Sequence, residues 1–398
     1  MILFAGGTSE NDQKERVVRV MGAWVSSEAE AFEYVLKGFT EETGIKVEYE
    51  GATDWVAVIS TRIAAGELPD LAVLGGADGY MSFLNQGVIK PLDFMKDDIE
   101  ANYVDGWITP FTSNGKIYAF PIRCNVQNCM WYNPENVGDV DFSSYESFLS
   151  YLEKEKAAGK FPMAGLYKGY WTSSLIFNSC LSSVATFEEY GQFMTGHMRM
   201  DDPIVIKNME RLSYLINNFC AGGAAGALGT DLTEGFALVF GSNPTAQFIN
   251  AGSWGSGIVT GGVNDKAVEG VNLTFELFPG YNAIETNTDP VVMFNDTEEA
   301  RMLLEYLAST EGISRFTEYG YVLPNKNINT SLYEKYPLAQ KAMEQLKDPI
   351  VVPTKVMDAE YADGFYKLIQ GCIANPNAIV QLCKEFEATY GHLNTVID

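Results

Sequence analysis

Any chemistry this chain performs rests on a narrow set of side chains. It has two histidines, six cysteines and fifty-two aspartates and glutamates among 398 residues. His197 sits in Thr195-Gly196-His197-Met198-Arg199 and His392 beside Gly391, so both read as surface or capping residues rather than partners of a nucleophile. There is no G-x-S-x-G elbow, no H-E-x-x-H, no Walker glycine-lysine loop and no strand-anchored G-x-G-x-x-G. Cys124, Cys129, Cys180, Cys220, Cys372 and Cys383 include no C-x-x-C and no zinc-ribbon spacing. They read as core thiols, with pairing open in an exported chain. No metal site, cofactor or catalytic residue is expected. One enzymatic alternative survives: a glycosidase needs only two carboxylates, about 5–5.5 Å apart for retention and about 6.5–9.5 Å for inversion.

Three short segments carry a different chemistry. Gly22 to Glu28 offers Trp24 and Glu28, Gly51 to Trp55 offers Asp54 and Trp55, and Gly75 to Tyr80 offers Asp78 and Tyr80. Glycines permit close backbone approach, flat rings stack on apolar faces, and carboxylates accept hydrogen bonds from hydroxyls. A sugar presents both of those surfaces. A phosphate or carboxylate ligand would call for bare N–H groups with Arg or Lys, which are scarce in these loops.

The elements around those loops alternate strand and helix. Val17 to Met21 is a short β-branched run; then Phe32, Val35, Leu36 and Phe39 fall at helical spacing, with Ser27 and Glu30 matching a capping box and Gly44 a left-handed stop. Ile45 to Glu50 alternates as a strand. Trp55, Ile59 and Ile63 mark a second helix ended by Gly66, and Leu71 to Leu74 a third strand. This order predicts parallel βαβ units with ligands bound at the carboxyl ends of the strands, where the three loops lie. Ala221 to Ala227 reads as a flexible connection between helices, and Asp97 to Glu100 as a solvated face rather than a calcium loop.

Composition bounds the partners. The net charge of −25 disfavours nucleic acid and anionic membrane surfaces. With 46% hydrophobic and 13% aromatic residues the chain can bury a sizeable core, and its length predicts two lobes. No window reaches the roughly 18 apolar residues of a membrane span. Met1 to Ala5 followed by polar Thr8 to Lys14 reads as the tail of an export signal and a tether, or as a frayed end. A lipoprotein cysteine near Gly6-Gly7 is lacking, so a lipid anchor would belong to the natural precursor.

Several segments, in order, resemble the extracellular solute-binding proteins of carbohydrate ABC transporters, nearest the α-glucoside branch. They are Glu41 to Val47, Ala64 to Asp70, Phe120 to Pro134, Asn243 to Ala246 with Gly252-Ser253-Trp254, and Phe294 to Ala300 followed by Leu307 to Ser309. The likeness weakens after about residue 330. It implies an α/β, periplasmic-binding-protein-like fold of two α/β lobes joined by a multi-segment hinge. The N-lobe would comprise 16–122 plus 287–323 and the C-lobe 126–284 plus 330–398. Crossings would fall at 123–125, 285–286 and 324–329, and 1–15 would be signal remnant or tether.

The resemblance also implies a carbohydrate ligand, ABC permease subunits as partners, no enzymatic activity, a monomer, and an extracytoplasmic site, free or lipid-anchored. Carried over by position, it points to Glu28, Asp78, Arg123, Asn125, Gln127, Trp254 and Asp289, with Trp171 as an addition. Where this branch has a Lys-Ser pair the chain has Gln127-Asn128, and after Val351 it departs to Pro353 through Asp358.

Overall fold

The structure, a computed structural model, describes residues 16–76 and 80–397. The expected leader and tether lie outside the described residues. β1 (Val17–Gly22) is flanked by two parallel neighbours, β2 (Lys46–Gly51) and β3 (Leu71–Val73), with Val20 opposite both Tyr49 and Leu71. The βαβ units are those expected from the sequence. Helix α1 (Ser27–Thr43) buries Ala31, Phe32, Val35, Leu36 and Phe39 as one stripe, because residues three and four apart share a helical face. Gly44 at φ 73° and Gly66 at φ 73° end α1 and α2 (Trp55–Ala65) in the left-handed conformation that a side chain would resist.

The start of α1 differs from expectation. Its N-cap is Ser26, with φ 52° and no side-chain cap, one residue ahead of the Ser27 expected at that place. The backbone turns left-handed at Ser26 to bring the chain round from the end of β1.

Seven further strands build the two lobes: β4 (Ala119–Val126), β5 (Cys129–Tyr132), β6 (Met163–Ala164), β7 (Phe248–Ala251), β8 (Thr274–Leu277), β9 (Ile284–Met293) and β10 (Val351–Pro353). The first sheet runs β10-β9-β3-β1-β2 with β4 along the other edge of β9; the second runs β8-β5-β7-β6. β4 and β9 form an antiparallel ribbon with Arg123 opposite Asp289 and Asn125 opposite Asn287, and a register shift follows at Asp289/Pro290. Only Gln127 and Asn128 separate the end of β4 from β5 in the second sheet. The ribbon therefore leads from one lobe into the other.

Asn128 locks that passage. It is fully buried, its Nδ2 donates to the Ala283 carbonyl at 3.0 Å, and its Oδ1 accepts from the Glu285 amide at 3.1 Å. The glycine-rich stretch is not a loose connection: Gly223–Gly229 is a helix. Its poor intrinsic propensity is overridden by close packing, since Ala227 lies directly against Gly165, where a side chain on the glycine would collide. All six cysteines are buried and unbonded. Asp97 and Asp98 lie in the first turn of the helix Lys96–Asn102, which turns Ile99 inward.

Candidate functional site

Alternation along the ribbon sorts its side chains. Cys124, Val126, Thr286 and Thr288 are buried on one face, while Arg123, Asn125, Asn287 and Asp289 line a cavity of about 830 Å³ on the other. The first lobe contributes Trp24 and Glu28 from the segment after β1, and Gly75 from the end of β3. The second lobe contributes Trp171, Ser253 and Trp254. Tyr319, Tyr321 and Tyr336 complete the wall.

Arg123 is the hub. Its Nε donates to Asp289 Oδ2 at 2.6 Å and its Nη1 to Glu28 Oε1 at 2.5 Å, while its guanidinium carbon lies 4.8 Å from the Trp24 ring centroid and 5.1 Å from that of Tyr321. Trp24 in turn donates its indole N–H to Asp289 Oδ2 at 3.3 Å. Burial alone would push the guanidinium down, but Asp289 and Glu28 hold it above its ordinary value. Burial raises the Asp289 carboxyl, and Arg123 works against that rise. Asp289 is only 3% exposed, whereas the Glu28 side chain is 40% exposed. Glu28 is thus the more solvent-accessible acid of the pair. The guanidinium is committed to the two acids rather than pointing free into the cavity.

The opposite wall is aromatic. Trp171 is 48% exposed, unusual for an indole, and its ring centroid lies 6.2 Å from that of Trp254, edge to face. The turn that presents Trp254 is tied to the end of β4: the Ser253 amide donates to the Val126 carbonyl at 2.7 Å, and Trp131 Nε1 donates to the Gly252 carbonyl at 3.0 Å. A side chain on Gly252 would run into Trp254 and Gln127, which is why a glycine stands there.

A smaller cavity of about 360 Å³ adjoins the first, sharing Gly75, Trp171, Trp254 and Asn287 with it. Gln127, Asn178, Glu285, Thr354 and Lys355 form its polar side. Burial raises the Glu285 carboxyl to about 7 and lowers the Lys355 ammonium to about 8.

Of the residues singled out from sequence, the structure brings Trp24, Glu28, Arg123, Asn125, Trp171, Trp254 and Asp289 to the larger cavity and Gln127 to the smaller. Asp54 and Trp55 line neither. Asp54 is exposed at the N-cap of α2, and Trp55 is buried where α2 meets Gly75 and the cluster of Met21, Ala72 and Leu74. Asp78 lies outside the described residues. The shared glycine-aromatic-acid pattern of the three loops is thus largely one of packing, for Trp24, Trp55 and Tyr80 are all buried. Residues not foreseen include Asn287, Tyr321, Glu269 and Asn178. Asn287 was legible, two positions before Asp289 on the same strand face. The others have no local signal.

A profile of the bacterial extracellular solute-binding proteins matches residues 25–313. The chain belongs to that family. Membership places this solute-binding protein outside the cytoplasm. Two relatives are 25% identical to it along the aligned stretch: the osmoprotective compounds-binding protein GgtB of Synechocystis, over 81% of this chain and 79% of its own, and the α-glucosides-binding periplasmic protein AglE of Rhizobium meliloti, over 83% and 77%. Among solved structures, the bacterial solute receptor AcbH superposes with a TM-score of 0.79 at 17% identity, covering 95% of this chain and 99% of its own. That likeness establishes the two-lobed α/β fold. Among the described residues of this solute-binding protein, no helix is long and apolar enough to cross a membrane, and no three His, Cys, Asp or Glu side chains are grouped to hold a metal ion.

Proposed function

We propose that this protein captures a sugar between its two lobes and delivers it, chemically unchanged, to the permease of an ABC transporter. One observation carries the reading: indole rings from the second lobe face hydrogen-bonding acids from the first across a single cavity. A pyranose offers an apolar face to the former and hydroxyl edges to the latter. The name of AglE, an α-glucosides-binding periplasmic protein, supports the same class of guest.

In this reading Trp171 and Trp254 stack on the ring and Glu28 accepts its hydroxyl protons. Arg123 holds Glu28 and Asp289 in place, while Asn125 and Asn287 face the guest from the ribbon. The lobes divide as 16–122 with 287–323 and 126–284 with 330–398, and they swing about 123–125, 285–286 and 324–329. The ligand favours the closed arrangement by the contacts it gains there. The working form is a monomer outside the cytoplasm, free or lipid-anchored.

Trp171→Ala tests the stacking wall. Being half-exposed, Trp171 adds little to folding, so the apo thermal midpoint should stay close to that of the parent. Affinity for whichever sugar stabilises the parent in a thermal-shift panel should fall at least about tenfold, or about 1.4 kcal/mol. Unchanged sugar affinity would remove Trp171 from the site.

A glycosidase would use the same cleft differently, and turnover separates the two. Prolonged incubation with glucosides should release no reducing sugar, because Asp289 is buried and already bonded to Arg123 and Trp24. Release that disappears in Glu28→Gln would establish the enzymatic alternative.

A further inference from the structure

The smaller chamber extends the proposed sugar site, and its lining shows what would fill it. Trp171 and Trp254 form the waist between the two chambers, so a guest lying against both indoles passes from one into the other. Beyond the waist, Leu175 and Met357 supply apolar surface opposite the amide and hydroxyl groups. Among the described residues, the side chains of formal charge in this lining are one acid and one base, Glu285 and Lys355. Glu285 Oε1 accepts from Asn178 Nδ2 at 2.8 Å and from Thr354 Oγ1 at 2.7 Å, while Lys355 Nζ donates to the Phe193 carbonyl at 3.2 Å. One acid beside one base leaves this lining without net formal charge, which favours a guest of none.

Three polar atoms of this lining are unmet. Gln127, 5% exposed, keeps its Nε2 without a hydrogen-bond partner, Asn178, 6% exposed, its Oδ1, and Glu285, 1% exposed, its Oε2. Buried polar groups are seldom left this way, because the desolvation of an unpaired donor or acceptor goes uncompensated. A donor and acceptors waiting together suit hydroxyls, each of which is both at once.

We infer that the guest is a neutral saccharide of at least two linked units, its second unit seated beyond the Trp171–Trp254 waist, with Gln127 and Asn178 setting the preference for length. This rests on the sugar-binding reading above and sharpens it. The chamber lies beside the point where β4 enters the second lobe, so a single sugar unit in the larger cavity leaves it unfilled.

The test is titration calorimetry with D-glucose and D-galactose against trehalose, maltose, sucrose, maltotriose and raffinose. One of the longer sugars should bind at least tenfold tighter than either monosaccharide. Gln127→Leu, close to isosteric, should shrink that ratio at least tenfold. So should Ser174→Phe, which narrows the chamber from a half-buried helix position and keeps the inference testable if the first variant misfolds. A monosaccharide that binds as tightly as every longer sugar overturns the inference and leaves the sugar-binding reading intact. Ratios unchanged in both folded variants overturn it equally. Binding by none of the seven sugars brings down the underlying reading, and the inference with it.

Discussion

Arg123→Met is expected to lower the stability of the ligand-free protein by about 3–5 kcal/mol, the range found when one partner of a buried ion pair is removed. Methionine keeps an apolar stem between the Trp24 and Tyr321 rings, so the loss reports the charge rather than a cavity. Most of it comes from Asp289, left nearly inaccessible to water with only the Trp24 indole N–H. Glu28 adds less, since its side chain is 40% exposed and water can solvate it. Urea unfolding measures the effect, and Asp289→Asn in the same background should restore part of it by removing the stranded charge. A single variant within about 1 kcal/mol of the parent would show that the triad is not a structural hub. Sugar affinity should fall in both variants, because Glu28 loses the partner that fixes its rotamer.

The second large effect is expected at Glu285. Burial raises its carboxyl from an ordinary 4.5 to about 7, against the opposing hydrogen bonds from Thr354 and Asn178 and the neighbouring Tyr190. A carboxyl raised on folding keeps its proton in the native chain at pH values where the unfolded chain has lost it. Its stabilising contribution is full below about pH 4.5 and is lost as pH climbs through 7. That loss amounts to about 3 kcal/mol. Glu285→Gln keeps an oxygen acceptor for Asn178 and Thr354 without the ionisation. Relative to the parent it should gain about 3 kcal/mol between pH 4 and pH 8. The other carboxylates titrate alike in both proteins, so the difference between their urea midpoints isolates this group. Parallel stability curves across that range would refute the assignment.

The first lobe was the more legible half of the molecule. The stripe Phe32, Val35, Leu36 and Phe39 and the stops at Gly44 and Gly66 are local signals, and local backbone preferences decide them. The family resemblance then placed Glu28, Arg123, Asn125, Trp254 and Asp289 near the crossing, all of which line the larger cavity. What local reading could not supply was direction. Trp24 and Trp55 follow strand ends in the same way, yet Trp24 borders the cavity while Trp55 packs over Gly75. Periodicity is silent in loops, so the two look alike. Tyr321 and Asn178 reach the cleft from distant parts of the chain, and only the assembled fold brings them there. The Gly223–Gly229 helix was misread for a related reason: its stability comes from contact with Gly165, some sixty residues earlier, and not from its own composition.

The internal pairing of Arg123 with Glu28 and Asp289 bears on how quickly a guest arrives. The surface is strongly anionic, at −25 overall, and a field of that size would slow negative visitors and hasten positive ones. An uncharged saccharide feels neither pull, and Arg123 already has its counter-ions, so its docking there sheds water and no salt. Association rates should therefore hold steady as added electrolyte shortens the screening length from about 30 Å to about 3 Å. Such a receptor would scavenge equally well in brackish and in fresh surroundings.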